Sequence, residues 1–270
     1  MRSLRGIASH LLVASVAAAA GMLGTWALRQ QRAAPPSPGA VTTHGEWIRI
    51  GRGADTLRAY IAFPERRDKA PAVIVIHEVF GLTGWEPTVV DRLAENGYVA
   101  LVPDMLSSRW GISPPSADSA RKLMGQLAPE GITADLEAAY AYLEALPAVR
   151  ADRIGVIGFC WGGGQTFRYA TVNPKLKAAV VCYGPAADSA AMERIATPIL
   201  GIYGENDARV NAALPTVARQ MSDRGKRFVF DSYPGTGHGF LKPGRRGYDT
   251  EQPARAWAAI LSFFRTELEQ

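Results

Sequence analysis

The sequence predicts an α/β fold, a mostly parallel twisted sheet with helices on both faces and an antiparallel hairpin at its N-terminal edge. Three observations carry this expectation. After Pro71, short continuous apolar runs alternate with helical patterns, as strands covered on both faces and joined by crossovers require. Before it, residues 46–50 and 57–63 alternate apolar and polar side chains around a Gly-Arg-Gly-Ala-Asp turn, as a half-exposed hairpin does. Third, the stretch IGVIGFCWGGG at 154–164 places a cysteine where a buried strand turns sharply into a helix. Gly158 and Gly162 flank Cys160 at the spacing such an elbow needs, because a strained turn leaves almost no room for side chains on either side.

The chain has 270 residues and a hydrophobic fraction of 47%, enough for one large domain with its own core. Residues 11–28 form an apolar run behind a short basic start, long enough for a signal sequence or a single membrane anchor. Small residues around Ala18 and Ala20 offer a cleavage point, while continuation of the run to Leu28 favours an anchor that stays in place. Export to the bacterial periplasm, or tethering to the inner membrane through residues 11–28, is therefore expected. The plainer alternative is an apolar extension on a cytoplasmic enzyme. Arginines at both ends of the run leave its orientation unset. Residues 29–45 are rich in Pro and Ala and read as a linker, with His44 solvated, and residues 46–270 as the folded domain.

Within that domain the continuous apolar runs are 72–76, 98–102, 153–157, 177–181, 198–203 and 227–233. Helical patterns fill the intervals at 86–96, 116–127, 131–145, 161–172 and 209–224, and a last one covers 251–268. No repeat and no second domain is visible. The net charge of +5 is spread thinly and sits partly on Arg2, Arg5, Arg29 and Arg32, so no basic stripe points to nucleic acid. Two cysteines are too few for a disulfide framework. Cys182, in the apolar run AAVVCYG, reads as a small buried hydrophobe.

In such a sheet ligands bind beyond the carboxyl ends of the strands, and polar residues without a folding role collect there. They are His77 and Glu78 in IHEVFG, Cys160, Asp207 in YGENDARV and His238 in YPGTGHGF. The order nucleophile, acid, histidine is that of α/β-hydrolases. A free thiol titrates near about 8.5, so Cys160 needs help to become a thiolate at neutral pH. His238 is the candidate base, Asp207 the group that fixes its tautomer, and the helix starting at Trp161 aims its positive end at the sulfur. The backbone N–H groups of Trp161 and Val79 are the expected oxyanion donors, with Gly81 letting the second loop turn. Each residue also has a structural reading: Cys160 as a buried thiol, Asp207 as a helix N-cap, His238 as a turn residue.

These motifs resemble the dienelactone hydrolases, α/β-hydrolases with a Cys, Asp, His triad. The resemblance spans about residues 46–268 and rests on HEVFG (77–81), PDM (103–105), GFCWGG (158–163) and the two segments carrying Asp207 and His238. It implies that Cys160 is the nucleophile, His238 the base and Asp207 its orienter. It also implies that Glu78 interacts with the resting thiol until substrate shifts the arrangement. In the family's lactone-cleaving members two arginines clamp a substrate carboxylate. Arg109 is the candidate for the first, whereas Lys242 stands where the second falls, with Arg245 and Arg246 just beyond. Lysine lacks the arginine fork. Trp85, Trp110 and Trp161 are candidate pocket walls. The function expected is cleavage of a small-molecule carboxylic ester or lactone through a thioester, by a monomer, with no metal or organic cofactor. A general short-chain esterase or acyltransferase is the alternative within enzymes, and a non-catalytic binding protein on the same fold the alternative outside them. A thiol redox protein is disfavoured because Cys182 is poorly placed to resolve a disulfide.

Overall fold

The computed structural model describes residues 44–245 and 248–270. The apolar segment 11–28 and residues 29–43 of the linker lie outside them. Among the described residues no helix is long and apolar enough to cross a membrane.

Eight strands form one sheet in the order β1-β2-β4-β3-β5-β6-β7-β8. β1 (His44–Arg52) and β2 (Asp55–Phe63) make the expected hairpin, and β2 also runs antiparallel to β4 (Val99–Pro103). The others, β3 (Ala70–Ile76), β5 (Val149–Phe159), β6 (Ala178–Cys182), β7 (Ile199–Gly204) and β8 (Phe228–Tyr233), are parallel to their neighbours. β1 starts two residues before the expected hairpin, and His44 is an exposed strand residue 3.4 Å from Glu65.

Side-chain alternation sorts the core into two layers. From β3, Ala72, Ile74 and Ile76 face one side, where they join residues of α4 (Pro129–Ala145), α5 (Trp161–Ala170) and α7 (Leu214–Asp223). Val73 and Val75 face the other, against α1 (Trp85–Glu95) and α8 (Glu251–Leu268). Every residue of β3, β4, β6 and β7 is buried, which is why these segments read as unbroken apolar runs.

β8 departs from that expectation. Its run looks like a covered strand, yet Val229 is 61% exposed and Phe230 37%, because β8 is last in the sheet and has no neighbour beyond it among the described residues. The expected helix over 209–224 divides into α6 (Ala208–Asn211) and α7, and α2 (Ser107–Trp110) precedes α3 (Ala117–Met124). Both differences involve single turns, too short to carry a periodic signal.

The elbow is built by backbone contact. A Cβ on Gly158 would collide with the Gly162 carbonyl, and one on Gly162 with the carbonyls of Ile76 and His77. The glycines therefore let α5 start directly against the ends of β5 and β3.

Candidate active site

The carboxyl ends of β3, β5, β6, β7 and β8 lie along one edge of the sheet and deliver His77 to Val79, Cys160, Tyr183, Asp207 and His238. Cys160 occupies the N-cap position of α5 with φ 56° and ψ −115°. A non-glycine residue in such a region costs about 1–3 kcal/mol and persists only where its surroundings impose it. Here Cys160 N–H donates to the Cys182 carbonyl at 3.0 Å and Gly164 N–H donates back to the Cys160 carbonyl at 3.2 Å. The half-buried thiol sits at the positive end of a ten-residue helix.

Asp207 does occupy a helix N-cap, but its side chain makes no cap bond. Instead Oδ2 lies 2.5 Å from Nδ1 of His238, and the carboxylate is buried. The His238 pKa is raised from its ordinary value, first by a hydrogen bond to the Cys160 sulfur and then by the bond to Asp207, with burial acting in the opposite direction. The imidazole is thus held by the Asp207 carboxylate through Nδ1. Its midpoint lies higher than that of a free histidine, and Cys160→Ala removes the largest cause of the rise. The His238 imidazole resonance, followed by NMR, is therefore expected to titrate at lower pH in Cys160→Ala than in the wild type.

Glu78 is fully buried and does not have the thiol as a partner. Its carboxylate receives Lys242 Nζ at 2.9 Å and Arg245 at 3.2 Å. Lys242 also stands 4.0 Å from Glu86 and over the Trp85 ring at 5.0 Å. Arg245, which the spacing of the family pattern did not select, thus supplies a guanidinium beside the position where the arginine is replaced. Arg109 lies elsewhere. It is exposed, packs over Trp110 and lines a cleft of about 370 Å³ whose lining includes none of Cys160, Asp207, His238 or Glu78. Of the candidate walls, Trp161 packs with Val79 on the cluster of Leu106, Ala120 and Met124, as Trp110 does, and Trp85 meets Phe159 edge-on at 4.8 Å.

Sequence reasoning missed Tyr183. It follows Cys182 directly, has φ 41°, is fully buried and sets its ring edge-on to His238 at 5.1 Å. Its hydroxyl has no hydrogen-bond partner among the described residues, and its pKa is raised by burial first and then by the Glu78 charge. A polar group at the end of a strand was the available signal, hidden because the run AAVVCY reads as core throughout.

A family model described as the dienelactone hydrolase family matches residues 57–268. The chain belongs to this family. A Synechocystis protein assigned as a carboxymethylenebutenolidase is 30% identical over 229 residues, covering 79% of this chain and 93% of the relative. A Salmonella typhimurium protein with the same assignment is 33% identical over 225 residues, covering 78% of this chain and 83% of the relative. Among solved structures, a Klebsiella pneumoniae protein assigned as a dienelactone hydrolase superposes with a TM-score of 0.76 at 27% identity, covering 83% of this chain and 98% of that one. The fold is that of the α/β-hydrolases, and as a dienelactone hydrolase family member the chain is a carboxylic ester hydrolase.

Proposed function

We propose that the chain hydrolyses a small ester or lactone with Cys160 as nucleophile, His238 as base and Asp207 as its orienter. The observation that carries this reading is the His238 imidazole held by the Asp207 carboxylate at 2.5 Å, on the same edge of the sheet as the strained Cys160 at the start of α5. The thiolate attacks the carbonyl carbon, and the N–H groups of Val79 and Trp161 receive the charge that moves onto oxygen. Collapse of that intermediate breaks the C–O bond, and the protonated His238 gives its proton to the departing alkoxide. Water then loses a proton to His238, attacks the thioester and releases the acid, which restores the thiolate and imidazolium. In a lactone the departing oxygen stays attached to the acyl group. Ester and water are converted to acid and alcohol with no redox change.

The same reading gives Lys242 and Arg245 a part in substrate selection. A substrate carboxylate at their side would compete with Glu78 for two cations, and Arg245 offers the planar fork that Lys242 lacks. The test is a hydrolysis screen with neutral p-nitrophenyl esters and with lactones that do or do not bear a carboxylate. Turnover in the screen, with higher kcat/KM for anionic lactones than for their neutral analogues, is the expected result. An equal rate on both would remove the cations from substrate recognition, and no turnover on any would remove the hydrolytic cycle.

A further inference from the structure

The oxyanion wall contains a buried histidine that takes no part in the proposed cycle. His77 has no exposed surface. Met105 N–H donates to its Nε2 at 3.2 Å, which leaves the ring proton on Nδ1, and Nδ1 lies 2.8 Å from the Glu78 carbonyl. That carbonyl also accepts from Gly81 N–H at 3.3 Å, closing the turn 78–81. The Glu78 carbonyl and the Val79 N–H belong to one planar trans peptide, so a ring that holds the first sets the direction of the second. Among the described residues neither Val79 N–H nor Trp161 N–H donates to a protein acceptor. The His77 ring also stacks on Trp161, with centroids 5.9 Å apart and planes 17° from parallel. One side chain therefore touches both donor residues, by a hydrogen bond to the peptide of the first and by ring contact with the second.

We propose that His77 is a positioning residue for the oxyanion hole, its Nδ1–H fixing the Glu78–Val79 peptide so that the Val79 N–H points at the developing oxyanion. This rests on the hydrolytic reading above, in which Val79 and Trp161 are the donors. It predicts that only the Nδ1 contact matters for rate. An asparagine amide reaches the place of Nδ1 and can still donate to the Glu78 carbonyl. A glutamine side chain reaches the place of Nε2 and keeps only the Met105 contact.

The experiment compares His77→Asn and His77→Gln in the full chain, with three readouts. For ester hydrolysis, His77→Gln is expected to lose about 10- to 100-fold in kcat with KM within about threefold, and His77→Asn to stay within about threefold of wild type. Binding of a trifluoromethyl ketone, which forms a tetrahedral adduct with the thiol, should weaken in parallel with kcat. Alkylation of Cys160 by iodoacetamide builds no oxyanion, and its rate should be unchanged in both variants. The proposal is overturned if His77→Gln keeps its kcat, if His77→Asn loses as much, or if alkylation slows along with hydrolysis. If His77→Gln does not fold, His77→Asn decides alone, since loss of its kcat would mean that the Met105 contact is what counts. Wild type that is alkylated but turns over no ester would defeat the hydrolytic reading itself, and this inference with it.

Discussion

Cys160→Ala is expected to lower kcat for ester hydrolysis by about 10⁴-fold or more, with a folded protein and a small residual rate. The loss is large because the sulfur is the bond-forming atom and no other side chain at the strand ends can replace it. The residue of activity comes from the oxyanion donors and binding, which alanine leaves in place. Strain separates this from a stability effect. Alanine keeps a Cβ at φ 56° and should change stability little on that account, whereas Cys160→Gly removes the Cβ and should raise stability by about 1 kcal/mol. Parallel kinetics and urea unfolding of the two variants check it. Equal loss of rate with opposite or unequal effects on stability is the signature of a strained nucleophile.

The second large effect concerns the buried charges. Replacing Lys242 and Arg245 together by Met leaves the fully buried Glu78 carboxylate without its two cations, and the double variant is expected to lose about 3 kcal/mol. Each cation is partly exposed, so neither single change should reach that value. Adding Glu78→Met should restore part of the stability, because it removes that buried carboxylate, while the buried Glu86, 4.0 Å from Lys242, stays without its cation. Urea midpoints of the single, double and triple variants measure this. A triple variant no more stable than the double would mean that packing, not charge, sets the loss.

The parts of this protein legible in the sequence are those fixed by local rules. The elbow was readable because two glycines two residues from Cys160 have one steric explanation, and β3 and β7 because burial on both faces leaves them wholly apolar. What escaped was set by distant contacts. Arg245 reaches Glu78 across 167 positions of sequence, and nothing local marks it above Arg246 or Lys242. Tyr183 is shaped by a positive φ and by His238, neither of which the preceding apolar run announces. Arg109 illustrates the opposite case: the resemblance made it a candidate, while the turn of α2 carries it to another cleft. Exposure of β8 depends on its place in the strand order, which composition does not encode.

The central claim is a covalent acyl group on one sulfur. Rapid-quench intact-mass measurement during turnover of a slow p-nitrophenyl ester, followed by peptide mapping, tests it directly. The expected result is an adduct with the mass of the acyl group on the peptide containing Cys160, removable by hydroxylamine and absent in Cys160→Ala. Turnover with no adduct on that peptide under conditions where release of the acid limits the rate, or with an adduct on a different residue, would contradict it.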